Sequence, residues 1–275
     1  MIATAETVIE RIAVARGGGD SLSELALRAA RAASCPDLGG VIAATFSNPD
    51  RFPSLAVRAA AGLGLPASTP AFDLQMACSA YPYAVYLAGK LAADTGRRIL
   101  VIDGDVQSPL VDANDHATGA IFSDAVTATV VSVNAQGRSG FDFLSRHDTA
   151  LSCTAEGPIR MDGFKVFSFV ATEVSAFLKG FLAAARTDGE PLLFAPHQAQ
   201  PYMVRQLARS LALERELLTI PDAEKNPGSC SVAMALALNA DRVRGSRALI
   251  AGFGAGLSAS AGIVKLSETF TGVEA

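Results

Sequence analysis

The stretch AFDLQMACSAYPYAV, residues 71–85, decides how the chain is read. An apolar run carrying one aspartate, Asp73, gives way at Cys78 to small residues at helical spacing. Pro82 is tolerated only in a helix's first turn, where its missing N–H has no partner to lose. A helix is therefore expected to begin at or just after Cys78. A strand that hands over to a buried helix at a cysteine has two readings. Free cysteine is among the most buried residue types, so packing alone would account for it. A thiol at a helix N-terminus is also where amide dipoles favour a thiolate nucleophile.

Outward from this stretch, helical and strand patterns alternate, which is the signature of an α/β fold. Helices are expected at 22–33 and 54–65, with strands at 40–46 and 98–105. The order then repeats: a helix at 174–185, a strand at 191–197, helices at 202–213 and 226–238, and a strand at 246–254. Leu55 and Met203 are 148 positions apart, Cys78 and Ser229 are 151 apart, and Ile99 and Ala248 are 149 apart. Element order alone is shared by many βαβ proteins, but near-constant spacing points to an internal duplication. The halves are read as 1–137, carrying Cys78, and 138–275, carrying His197 and Asn226. A pseudo-twofold would bring Cys78 and the 226–231 segment to one cleft, each at the start of a central helix.

The totals narrow the function classes. With 275 residues, half of them hydrophobic, the chain can bury a large core. The net charge of −4 and 7% aromatic content argue against a general nucleic-acid binder. No apolar run reaches the roughly 18 residues that a membrane span needs, and Glu6, Glu10 and Arg11 do not suit a signal peptide, so a cytoplasmic protein is expected. Four cysteines without CxxC spacing indicate neither a metal centre nor a disulfide framework.

His197 ends an apolar strand in LLFAPHQAQP, at the strand end where open α/β sheets place their sites, yet a lone histidine is more often structural. Asn226, in EKNPGSCS, reads by itself as a turn residue, and its symmetry with Cys78 is what singles it out. The run AGFGAGLSASAG, 251–262, lies too near the chain's end to open a dinucleotide-binding unit, so backbone N–H donors to an oxyanion are the better reading. Arg205 and Arg209 stand four apart on the helix after His197 and could meet an acidic partner. His116 and His147 sit in polar contexts and are read as solvated or structural.

Taken together, FDLQMACSAYPYAV, APHQAQP and NPGSCSVAMALAL with ALIAGFGAGLSASAGIVKL resemble the β-ketoacyl-acyl carrier protein synthase III family of the thiolase superfamily. The likeness runs from about Arg11 to Leu266 and includes IFSDAVTATVV and IRMDGFKVFSF. It implies the five-layer αβαβα thiolase sandwich of two pseudo-duplicated halves. It makes Cys78 the nucleophile, His197 and Asn226 the decarboxylation pair, and Phe253, Gly254, Ala255 and Gly256 the oxyanion loop. Phe52, Met161 and Gly163 then belong to the acyl pocket and dimer contact, and Arg205 and Arg209 to carrier-protein docking.

The implied activity is an acyltransferase that forms a 3-oxoacyl thioester by decarboxylative Claisen condensation, in fatty-acid-like or polyketide-type biosynthesis. Its substrates would be CoA or carrier-protein thioesters, without cofactor or metal. A dimer is implied, of identical chains or of this chain with a related subunit. Acyl transfer to a hydroxyl or amine, or a non-catalytic partner role, are the alternatives. Departures from the family pattern are a short N-terminal region with the first strand missing or rebuilt, no tryptophan, and Gln200–Pro201–Tyr202 after PHQA. They point to a specialised member.

Overall fold

The computed structural model describes residues 1–112, 114–115, 118–154, 157–185, 191–221 and 225–275. His116 lies outside the described residues. The first half runs β1 (Ile2–Arg16), α1 (Leu22–Ala33), β2 (Leu38–Ala44), α2 (Leu55–Gly62), β3 (Ala71–Leu74), α3 (Ala80–Thr95), β4 (Arg98–Asp105) and β5 (Ala125–Asp148). A short ribbon, β6 (Leu151–Ser152) and β7 (Arg160–Met161), leads into α4 (Gly163–Phe169). A π turn joins α4 to α5 (Ser175–Ala185). Then come β8 (Leu192–Pro196), α6 (Pro201–Ser210), α7 (Ser231–Ala237), α8 (Ala240–Val243), β9 (Arg247–Gly254) and β10 (Gly256–Glu274).

Alternation along the strands sets the layers. Val41, Ala43, Leu100 and Ile102 pack with α1 and α2, whereas Ile42, Ala44, Ile99 and Val101 on the opposite face pack with α3. In the second half Leu192, Phe194, Leu249 and Ala251 pack with α4, α5 and α6, whereas Ala195, Ala248 and Ile250 face α7. Strands buried on both faces explain the continuous apolar runs in the sequence. Each fully buried Val, Leu or Ile side chain contributes about 1.5–3 kcal/mol. The result is outer helices, sheet, α3 with α7, sheet, outer helices, the αβαβα order expected.

The strands join in the order β3-β2-β4-β5-β1-β10-β9-β8, with β5 also pairing β10. The start of β5 is antiparallel to β4, and its end is antiparallel to β10. Because β5 runs unbroken through position 137, no linker separates the two halves. The N-terminal region, expected to have its first strand missing or rebuilt, supplies β1, which lies between β5 and β10 at the centre. Strand β3 lies at one edge. Its Asp73 accepts the Leu55 and Ala56 backbone N–H groups, at 2.8 Å each, and so caps α2.

One expectation is corrected. The helix expected to start at 174 continues back through the π turn, so Gly163–Ala185 forms one helix, long and apolar enough by length and composition to cross a membrane. Val166, Phe169, Val170, Val174, Leu178 and Phe181 are buried in the core beside β8 and β9.

Candidate active site

Cys78 sits in a 3-10 turn, Ala77–Ser79, that leads directly into α3. Ser229 occupies the matching turn, Gly228–Cys230, that leads into α7. The duplication read from the spacing therefore places two equivalent turns in the central layer. Ala77 adopts φ +42°, a conformation L-residues rarely hold, and this sharpens the bend that presents Cys78. The end of β9 packs onto this bend with no room for side chains. A Cβ on Gly254 would lie 2.8 Å from Cys78 Cβ and 3.2 Å from Sγ, and one on Gly252 would lie 2.7 Å from Ser79 Cα. The Ser79 and Ser258 hydroxyls lie 2.7 Å apart, and Ser260 Oγ donates to the Ser79 carbonyl at 2.8 Å, tying the turn to β10.

Cys78, His197 and Asn226 line one cavity of about 250 Å³, together with Met161, Gly163, Phe253 and Gly254. Its walls are largely apolar, with Ile121, Leu151, Val166, Val170 and Met203 among them. Burial, with Asp105 nearby, pushes the Cys78 thiol up to about 12, while the Ala255 and Cys78 backbone N–H groups pull the other way. Burial therefore favours the thiol form over the thiolate that a helix N-terminus would favour. Desolvation outweighs the amides.

His197 is 2% exposed, and burial brings its pKa down to about 4, so the ring is neutral at pH 7. Its Nδ1 lies 2.8 Å from Ser231 Oγ, and the Phe253 ring stands edge-on to it at 5.4 Å between centroids. The Asn226 backbone donates to Ile121 O at 2.7 Å and its carbonyl accepts from Ser123 N–H at 3.0 Å. Asn226 Oδ1 accepts the Gly228 N–H at 2.8 Å. That bond assigns the amide orientation and leaves Nδ2 to donate elsewhere.

The other expected residues are placed as follows. Ala255 is half-buried at the β9–β10 turn with its N–H towards Cys78, whereas Gly256 is exposed. Phe52 is 84% exposed and does not line the cavity of its own chain. Arg205 and Arg209 are exposed on α6, with Arg209 3.9 Å from Glu214. His147 is exposed on β5. Sequence reasoning missed Ser231, which lies five residues after Asn226 at the first position of α7.

Two buried acids underlie the site. Asp105 Oδ1 accepts Thr45 Oγ1 at 2.7 Å and the N–H groups of Phe46 and Ser47, fixing the chain that leads to Phe52. Asp103 accepts Ser229 Oγ at 2.6 Å, while its Oδ2 has no hydrogen-bond partner among the described residues. Burial raises the Asp103 carboxyl well above the usual range. The unfolded chain releases that proton at about pH 4 and the folded chain holds it. Stability therefore falls as pH rises from the unfolded value to the folded one. Asp103→Asn removes this penalty and keeps an acceptor for Ser229. Its melting temperature is expected to exceed wild type by a few degrees at about pH 8, with a smaller gain at about pH 4, by differential scanning calorimetry.

The chain is similar to known proteins along most of its length. Residues 72–148 match the family model described as 3-Oxoacyl-[acyl-carrier-protein (ACP)] synthase III, and residues 183–266 match that of its C-terminal part. A beta-ketoacyl-[acyl-carrier-protein] synthase III of Lactobacillus delbrueckii subsp. bulgaricus is 33% identical over 248 residues, 82% of this chain and 77% of its own. The priming beta-ketosynthase of the R1128 polyketide biosynthetic pathway superposes with a TM-score of 0.81 at 25% identity, over 91% of this chain and 83% of that one. A 3-oxoacyl-(acyl-carrier protein) synthase from Burkholderia xenovorans LB400 shares the fold at a TM-score of 0.88 and 20% identity, over 100% of this chain and 98% of that one.

Proposed function

The chain belongs to the 3-oxoacyl-[acyl-carrier-protein] synthase III family of condensing enzymes, and on that premise we propose that its cavity carries the reaction through Cys78, His197 and Asn226. The supporting observation is a thiol, a neutral imidazole and an oriented amide on the wall of one largely apolar cavity.

Cys78 Sγ attacks an acyl thioester, its proton passing to the sulfur of the departing thiol as the carbonyl–sulfur bond breaks. The Cys78 and Ala255 N–H groups stabilise the tetrahedral oxyanion. A malonyl thioester then enters. Its carboxylate leaves as CO₂, and the electron pair of the broken C–C bond becomes an enolate. Two neutral donors, His197 Nε2–H and Asn226 Nδ2–H, hold the charge on the thioester oxygen. The enolate carbon attacks the acyl group and expels Cys78, which regains a proton from solvent. Electrons come from decarboxylation, so the sequence needs no redox or metal cofactor. An asparagine here favours condensation, because a carboxylate in its place would repel an enolate.

Residues 1–137 supply the nucleophile and 138–275 the decarboxylation pair. Arg205 and Arg209, on the helix that contributes Met203 to the cavity wall, would receive an acidic acyl carrier protein. A cytoplasmic homodimer, joined through the exposed edge of β3, would bring Phe52 of each chain to the other's acyl pocket beside Met161 and Gly163.

The product assay tests this reading. Acyl-CoA or acyl carrier protein with a malonyl thioester is expected to yield equimolar CO₂ and 3-oxoacyl thioester. An acyl ester or amide formed without CO₂ would overturn it.

A further inference from the structure

Ser231 lies at the first position of α7, fully buried, and ties that helix to the segment after β8 that carries His197. Its Oγ accepts the Gln198 backbone N–H at 3.0 Å and lies 2.8 Å from His197 Nδ1. Gln198 is itself held, its Nε2 donating to Pro196 O at 2.7 Å and Leu218 O at 3.2 Å. A hydroxyl has one hydrogen to give, and a buried one that finds no acceptor is costly. Among the described residues, Nδ1 is the acceptor recorded for the Ser231 hydroxyl. From these contacts we propose that Ser231 is a positioning residue: it donates to Nδ1 and holds His197 in the Nε2–H tautomer.

The consequence is chemical. A neutral imidazole has one N–H, and the nitrogen that carries it decides the ring's role. With Nδ1 accepting from Ser231, Nε2 presents a hydrogen and can stabilise an enolate oxygen. With the tautomer reversed, Nε2 presents a lone pair and would repel that oxygen. Removing the Ser231 hydroxyl takes away the donor that keeps Nδ1 without a hydrogen.

This inference rests on the proposed role of His197, and the test separates the two. Nitrogen NMR of ring-labelled wild-type protein near pH 7 is expected to show a pyridine-type Nδ1 and a pyrrole-type Nε2. The reverse pattern overturns the Ser231 proposal without touching the condensation assay. The expected pattern in a protein that releases no CO₂ overturns the role of His197 and leaves the tautomer assignment standing.

Ser231→Ala is expected to shift the population towards Nδ1–H and to lower kcat for CO₂ release about 10- to 100-fold, the loss seen when the hydrogen-bond partner that orients a metal-bound histidine is removed. Acylation of Cys78 stays within about twofold, which reports that the variant is folded. Ser231→Thr, which keeps the hydroxyl, restores the wild-type tautomer. An unchanged tautomer and unchanged decarboxylation in Ser231→Ala would overturn the proposal. If neither variant folds, the wild-type spectrum still decides it.

Discussion

His197→Ala is expected to acylate itself at close to the wild-type rate while CO₂ release from a malonyl thioester falls by about 10²–10³-fold, the loss typical of one preorganised donor to a developing oxyanion. The split follows from the chemistry of each half-reaction. Attack by Cys78 draws on the N–H groups of its own turn and of Ala255, whereas decarboxylation places charge on an oxygen that only His197 and Asn226 are proposed to meet. The pH profile sharpens the test. Because burial holds the His197 pKa at about 4, the ring stays a neutral donor through mild acid, and no acid limb near the ordinary histidine pKa is expected in CO₂ release. The stability sign is set as well. The unfolded histidine takes a proton at about pH 6.5 and the folded one only near pH 4, so stability is lost as pH falls between them, by on the order of 3 kcal/mol. His197→Ala is expected to flatten that slope. Retention of CO₂ release together with acylation would sink the assigned role.

Gly254→Ala should do the reverse and fail at the first step. Its new Cβ would stand 2.8 Å from Cys78 Cβ, closer than real Cβ contacts come, at a residue with φ +154°. The backbone on both sides is held, by the ladder between β9 and β10 and by the serine contacts to the nucleophile turn. Displacement of the turn would pull Sγ away from the Ala255 N–H. Acylation by acyl-CoA is expected to drop at least about 10²-fold, measured by single-turnover kinetics, since small misplacements of reacting groups cost that much. Wild-type acylation rates in this variant would contradict the close-packed geometry.

Much of this arrangement was legible in the sequence, for reasons particular to each element. Strand β4 was read at its observed limits because RILVIDGD is an apolar run buried on both faces. Helix α1 was read at its limits from its helical pattern, and the structure adds a Ser21–Glu24 capping box at its start. The cysteine turn was found from Pro82, and its partner turn from the constant offset. The long strands β5 and β10 were not read as strands. Gly, Ser and Ala recur in β10 and Gly and Ser in the later part of β5, and such residues carry little β-propensity, although the Val- and Thr-rich start of β5 carries more. Their strand character comes from pairing with β1, β4 and β9, which no local pattern displays. The protonation of the site was also hidden. Helix-terminus logic argued for a thiolate at Cys78, but burial and Asp105, brought near only by folding, reverse it.

Intact-protein mass spectrometry after mixing with acyl-CoA or acyl carrier protein tests the central claim most directly. A single adduct of the acyl group's mass is predicted in wild type, retained in His197→Ala and Asn226→Ala, discharged by malonyl thioester in wild type alone, and absent in Cys78→Ala. An adduct that persists in Cys78→Ala, or wild-type protein that never acquires one, would contradict it.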